Sequence, residues 1–208
     1  MAAAACAAAT AARSPRNRGM QWTRVVAVMD SPGFSEDTAQ VKEVVLCIMD
    51  TAGRYSNDKL GRAAVLRAVS AGCAHENFTK AFASALIIMG DKPHDRAQGR
   101  AYLRWSCAVV SGMDLHQVWA KKVFARLATL QATLVYNALG NPHVRDRPAK
   151  PVLKLLRSKH EAFEHYLSVV KDGVGGAALA ALVHVLVLFC NSPARSDLLA
   201  SSKESLLA

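Results

Sequence analysis

The residues able to do chemistry are scattered along this sequence. Cys6, Cys47, Cys73, Cys107 and Cys190 are an odd number of thiols with no C-x-x-C pair. Reduced cysteines of the cytosol are the simplest account, most of them serving as small core residues. Cys73 and His75 are the only close pair of metal-ligand type, and no second pair stands at zinc spacing. Ser, His and Asp all occur without a G-x-S-x-G elbow, and no carboxylate pair stands in a Gly-rich context. Asp50-Thr51-Ala52-Gly53 has the D-x-x-G form of a GTPase switch element, but no phosphate loop ending in G-K-[ST] accompanies it. At the end of an amphipathic stretch it reads as a helix stop, with Gly53 near the C-cap. Gly173, Gly175 and Gly176 follow no strand and read as a loop between helices rather than a dinucleotide cradle. Asn77-Phe78-Thr79 fits the glycosylation sequon and, without a secretory signal, reads as a chance match inside a helix. No catalytic residue, cofactor or metal ligand is assigned, and the expectation is a protein that is not an enzyme.

The basic residues carry more information. From Lys121 to Lys159 the chain holds Lys121, Lys122, Arg126, Arg145, Arg147, Lys150, Lys154, Arg157 and Lys159 against Asp146 alone. Lys150, Lys154 and Arg157 are spaced four and three apart, so they share one side of a helix, with Arg145 and Arg147 flanking its start. Such a face contacts phosphates or an acidic protein with an affinity that falls as salt rises. A plain solubilising face fits the same residues equally well. No aromatic residues are interleaved there to stack bases, which argues against sequence-specific RNA reading.

These residues need elements to position them. Of the 208 residues 51% are apolar and only 6% aromatic, and Ala, Leu and Val dominate, a composition suited to closely packed helices. The formal charge of +10 favours an acidic partner such as RNA, an anionic membrane or an acidic protein. No apolar run reaches the length of a membrane span; the best candidate, Ala177 to Cys190, is short and contains His184. Residues 1–35 read as a disordered Ala/Arg-rich segment, with an organelle transit peptide as the alternative, since Arg13, Arg16, Arg18 and Arg24 precede the first acid, Asp30. Val25 to Met29 has the look of an isolated strand without a partner.

From residue 36 the chain alternates amphipathic stretches with short breaks rich in Gly, Pro, Asn or Asp, and about nine helices are predicted. They run near Asp37–Gly53, from a cap at Asn57 or Asp58 to Gly72, and over His75–Met89, Arg96–Val110, Asp114–Ala138, Pro148–Arg157, Phe163–Val170, Ala177–Cys190 and Ser196–Leu207. The fifth has the longest stripe, through Leu115, Trp119, Val123, Leu127, Leu130, Leu134 and Ala138, with Asp114 as its expected N-cap. Trp105, Trp119, Phe124, Tyr136, Phe163 and Tyr166 are expected to pack. The fold class is all-α, antiparallel helix pairs stacked as a HEAT/armadillo-like α-solenoid over residues 36–208. The apolar Leu198, Leu199, Leu206 and Leu207 suggest a fragment of a longer array, because a finished solenoid needs a polar cap.

Three stretches resemble the N-terminal HEAT-repeat region of the general control non-derepressible translational activator family. The first runs from Val41-Lys42-Glu43 through Arg54-Tyr55 to Arg62-Ala63. The second joins Tyr102-Leu103-Arg104-Trp105-Ser106-Cys107, Phe124-Ala125-Arg126-Leu127, Val152-Leu153-Lys154-Leu155-Leu156 and Glu164-His165-Tyr166-Leu167. The third is Leu186-Val187-Leu188-Phe189-Cys190-Asn191-Ser192, continuing to Leu206-Leu207. Residues 1–35 have no counterpart, and the connection from Gly90 to Gly99 is short for the family. The resemblance implies a cytoplasmic scaffold that docks on ribosomes, through rRNA phosphates or acidic ribosomal proteins, and promotes activation of the eukaryotic initiation factor two alpha kinase. Another possibility is a small helical regulator or enzyme of a plastid or mitochondrion.

Overall fold

The computed structural model describes residues 1–12, 14–55, 57–139, 149–171 and 176–190, and within them the chain is all helical, with no strand. Local chemistry explains the helix starts. Asp37 caps α3 (Thr38–Asp50), accepting the Ala39 and Gln40 N–H groups at 3.0 Å, while the Gln40 amide returns to its carboxylate at 2.8 Å. Asp58 caps α4 (Lys59–Gly72) through Gly61 N–H. Asp95 and Gln98 form a reciprocal capping box on α6 (Arg96–Gly112), which follows α5 (Glu76–Gly90). The turn after α3 carries Gly53 at φ +86, a left-handed conformation that explains why the D-x-x-G tetrapeptide ends a helix. Farther on come α7 (Val118–Leu139), α8 (Lys150–Ser158), α9 (His160–Lys171) and α10 (Gly176–Cys190). The stretch expected at Ser196–Leu207 lies outside the described residues.

Four expectations need correction. Residues 2–29 are folded, as α1 (Ala2–Ala11) and α2 (Pro15–Met29). Ser14 accepts the Asn17 N–H and Pro15 presets the first helical φ, so α2 has a proper N-terminus. Trp22, Val25 and Met29, all fully buried, form its inner stripe, and the apparent strand at Val25–Met29 is the last turns of this helix. Asp114 does not cap α7 directly; it accepts the His116 N–H inside a turn, and the helix begins four residues later. Tyr136, expected in the core, is 47% exposed.

Packing follows a regular order. Helices α1, α3, α5, α7 and α9 each contact the next in that series, and α2, α4, α6, α8 and α10 do the same. The two ranks are tied by the contacts of α1 with α2, α5 with α6, α6 with α7, and α8 with α9. The last helix departs from the scheme by packing heavily on α7 as well. Between the ranks runs one apolar core. Within it Phe78 stacks on Phe82 at 5.3 Å, Phe82 meets Trp105 at 6.0 Å and Trp105 meets Tyr102 at 6.1 Å, joining α5 to α6 by rings. Glycine permits one close crossing: a Cβ on Gly90 of α5 would sit 2.3 Å from Leu130 Cδ1 of α7.

Deeper along α7, the Tyr166 hydroxyl of α9 donates to Gln131 Oε1, both residues being buried. Tyr166→Phe deprives the buried amide of that donor and is expected to cost about 1–3 kcal/mol in urea unfolding, while leaving the helical circular dichroism unchanged.

Candidate functional site

Charge is distributed unequally between the two ranks. On the second rank, α2 carries Arg16, Arg18 and Arg24; α4 carries Lys59, Arg62 and Arg67; α6 carries Arg96, Arg100 and Arg104; α8 carries Lys150, Lys154 and Arg157. None of these four helices contains an Asp or Glu. On the first rank acids occur, Glu43 and Asp50 on α3, Glu76 on α5, and Glu161 and Glu164 on α9, although α7 carries Lys121, Lys122 and Arg126 without an acid. Exposed faces usually intersperse both signs, so an acid-free rank is a feature to be explained.

Two of the cations serve the fold. Arg18 pairs with Asp58 and lies 5.3 Å from the centre of the Tyr55 ring, and Arg62 donates to the Tyr55 carbonyl at 3.1 Å. Arg16, Arg24, Lys59, Arg67, Arg96, Arg100, Arg104, Lys150, Lys154 and Arg157 are exposed. On α6 the spacing of four, Arg96, Arg100, Arg104, makes a single stripe. Partial desolvation against the body of the fold, and then the neighbouring Arg62 and Arg100, push the Arg104 guanidinium below the usual arginine range although its side chain remains exposed. Like charges are therefore held together from α4 and α6 at the cost of mutual repulsion.

Beside this stripe a half-open groove of about 1220 Å³ is bounded by the end of α5, the α5–α6 connection, α6, α7 and Pro151 of α8. Its lining includes Arg96, Arg100, Arg104 and Arg126, with Lys92 and the carboxylates Asp91 and Asp95 on the connecting loop. The α7 wall is mixed: Thr129, Thr133 and Asn137 follow one another at a spacing of four beside Leu130 and Leu134. Asp95 Oδ1 accepts the α6 N–H groups of Ala97 and Gln98, at 2.7 and 2.8 Å. Among the described residues no carboxylate pairs with any of the four arginines.

The residues singled out by sequence fare differently. Lys150, Lys154 and Arg157 do share the outer side of α8, whose inner side buries Val152, Leu155 and Leu156. Arg126 lines the groove, and Lys121 and Lys122 are exposed on α7. Arg145 and Arg147 lie outside the described residues. Lys159 is not part of a docking face: its ammonium donates to the carbonyls of Val110 at 3.2 Å, Ser111 at 3.4 Å and Met113, closing the C-terminal end of α6. Burial holds its pKa below the usual lysine range. Lys159→Met is expected to lower stability by about 1–2 kcal/mol, read by thermal unfolding, and to leave anion binding unchanged.

Comparison with protein-family models, with curated proteins and with solved structures finds no match. The site therefore stands on its own geometry. The arginines of α6 were not singled out from sequence, though their spacing of four without an intervening acid was the available signal. No group of three or more metal-ligating side chains gathers among the described residues. The buried thiols of Cys73 and Cys107 are pushed up to about 12 by burial, so both are poor nucleophiles near neutral pH. Neither is expected to react with iodoacetamide at pH 8 in the folded protein, whereas urea exposes them to labelling detected by mass spectrometry.

Proposed function

We propose that the chain is a non-catalytic docking scaffold, an α-solenoid of stacked helix pairs whose second rank binds a polyanionic partner. The single observation that carries this reading is the absence of any acid from α2, α4, α6 and α8, where twelve cations are gathered. The alternation of contacts, each helix meeting the one two places along, supports the solenoid part. The ribosome is the partner that the sequence resemblance implies, and the resemblance extends to a role in activating the initiation factor two alpha kinase. Surface electrostatics of this kind act mainly through phosphate neutralisation, without reading sequence.

Ribosome co-sedimentation over a salt series tests the reading. Six neutralised phosphates make affinity fall by about 10³ between 50 and 200 mM salt. Lys150→Glu, Lys154→Glu and Arg157→Glu together are expected to weaken binding and flatten that dependence. Binding that ignores both salt and the triple change sinks the docking claim.

A further inference from the structure

We propose that the groove between α6 and α7 is a binding site for a compact polyphosphate, a small molecule carrying several phosphate groups. The inference does not depend on the identity of the partner docked on the second rank. Three observations converge on it. Arg96, Arg100 and Arg104 line one wall over eight residues of helix, about 12 Å, and Arg126 of α7 lines the same groove, so arginines border one space from two helices. Arginine forks match phosphate oxygens bidentately. These four have no carboxylate partner among the described residues, and Arg104 is additionally pressed by Arg62 and Arg100, repulsion that a bound anion relieves.

The shape and rim choose the class of anion. At about 1220 Å³ and half open, the groove is somewhat larger than the roughly 300–1,000 Å³ of an ordinary small-molecule pocket, room for a ligand that carries several phosphate groups. Among the described residues no Phe, Tyr or Trp ring lines it, and the His94 imidazole that does is engaged by the Lys92 carbonyl at 2.9 Å and the Tyr102 ring at 5.6 Å, so stacking surface for nucleobases is small and a ligand that is mostly phosphate is favoured over a nucleotide chain. Asp91 and Asp95 on the α5–α6 connection end the basic tract and oppose an extended polyanion leaving by that side. On the α7 wall the Thr129 and Thr133 hydroxyls donate to the Ala125 and Thr129 carbonyls at 3.0 Å and keep acceptor capacity for ligand hydroxyl groups, while Asn137 contributes a side-chain amide.

Isothermal titration calorimetry of the full chain at 0.1 M salt, with inositol hexakisphosphate, pyrophosphate and inorganic phosphate, tests the site. Saturable one-to-one binding is expected, tightening at least a hundredfold from inorganic phosphate to the hexakisphosphate, together with a rise in the thermal midpoint. Arg100→Gln with Arg104→Gln is expected to weaken the hexakisphosphate at least tenfold, and Arg126→Gln, on the other helix, to weaken it independently. Lys150→Glu, Lys154→Glu and Arg157→Glu, on the helix whose Pro151 borders the groove, are expected to weaken it less than the Arg100 and Arg104 change does. No binding at 1 mM, equal loss in the α8 variant, or full retention in both arginine variants overturns the proposal. So does a short RNA duplex that binds through Arg100 and Arg104 while the hexakisphosphate fails to compete. Loss of ribosome co-sedimentation with the calorimetric result intact overturns only the docking reading.

Discussion

Replacing Trp22 by alanine lowers the unfolding free energy by about 3–5 kcal/mol, the range for removing a large aromatic from a packed interior. Trp22 is fully buried, as are Val25 and Met29 on the same side of α2, and this helix lies against α1 and α4. The indole is therefore shared by an N-terminal segment that composition alone marks as a tail and by the body of the fold. Urea unfolding followed by circular dichroism reads the loss directly. A change below about 0.5 kcal/mol, typical of an exposed site, contradicts the packing of α2 on α4. Trimming near Arg18 removes the buried Ala2, Cys6 and Ala9 with α1, so stability is expected to fall there too.

Asp58→Ala is expected to cost about 2–4 kcal/mol, because two interactions fail together. The carboxylate caps α4 through Gly61 N–H at 3.0 Å, and it is the ion-pair partner of Arg18, whose side chain is only 15% exposed. Without it the α4 N-terminus is open and a largely buried guanidinium of α2 has lost its counter-charge. Asp58→Asn separates the two losses, since asparagine remains a good N-cap but carries no charge. Acid probes the same group. The Gly61 N–H, aided by Arg18, holds the Asp58 carboxyl below the usual carboxylate range against the opposing effect of burial. Its folded pKa is lower than its unfolded one, so the stabilisation is complete above the unfolded value, about 3.9, and disappears as pH falls through the folded value. The stability difference between the native protein and Asp58→Asn is thus expected to shrink from pH 5 toward pH 2. A difference constant over that range removes the carboxylate from the account.

Helices with strong caps and wide apolar stripes were legible in the sequence. The cap expected at Asn57 or Asp58 is Asp58, the stretches expected near Asp37 and Arg96 begin at α3 and α6, and the predicted stretch at Ala177–Cys190 agrees with α10 to within a residue. What escaped depended on tertiary partners. Helix α1 buries only Ala2, Cys6 and Ala9, side chains too small to make a visible stripe, and its burial is decided by α2 and α3. In the same way Lys159 looked like one more basic residue because its acceptors lie on α6, more than forty positions earlier. Spacing within a helix revealed the α8 triad, whereas the proximity of Arg62 to Arg104 depends on how α4 meets α6.

Across the described helices the uneven placement of charge amounts to an electric dipole directed from one rank to the other. Far from any contact, that asymmetry exerts a torque in the field of a negatively charged body and turns the arginine-rich side toward it before the surfaces meet. Arrival is thereby oriented, and the mixed-sign rank, with Leu46 and Ile88 exposed on α3 and α5, is left pointing away.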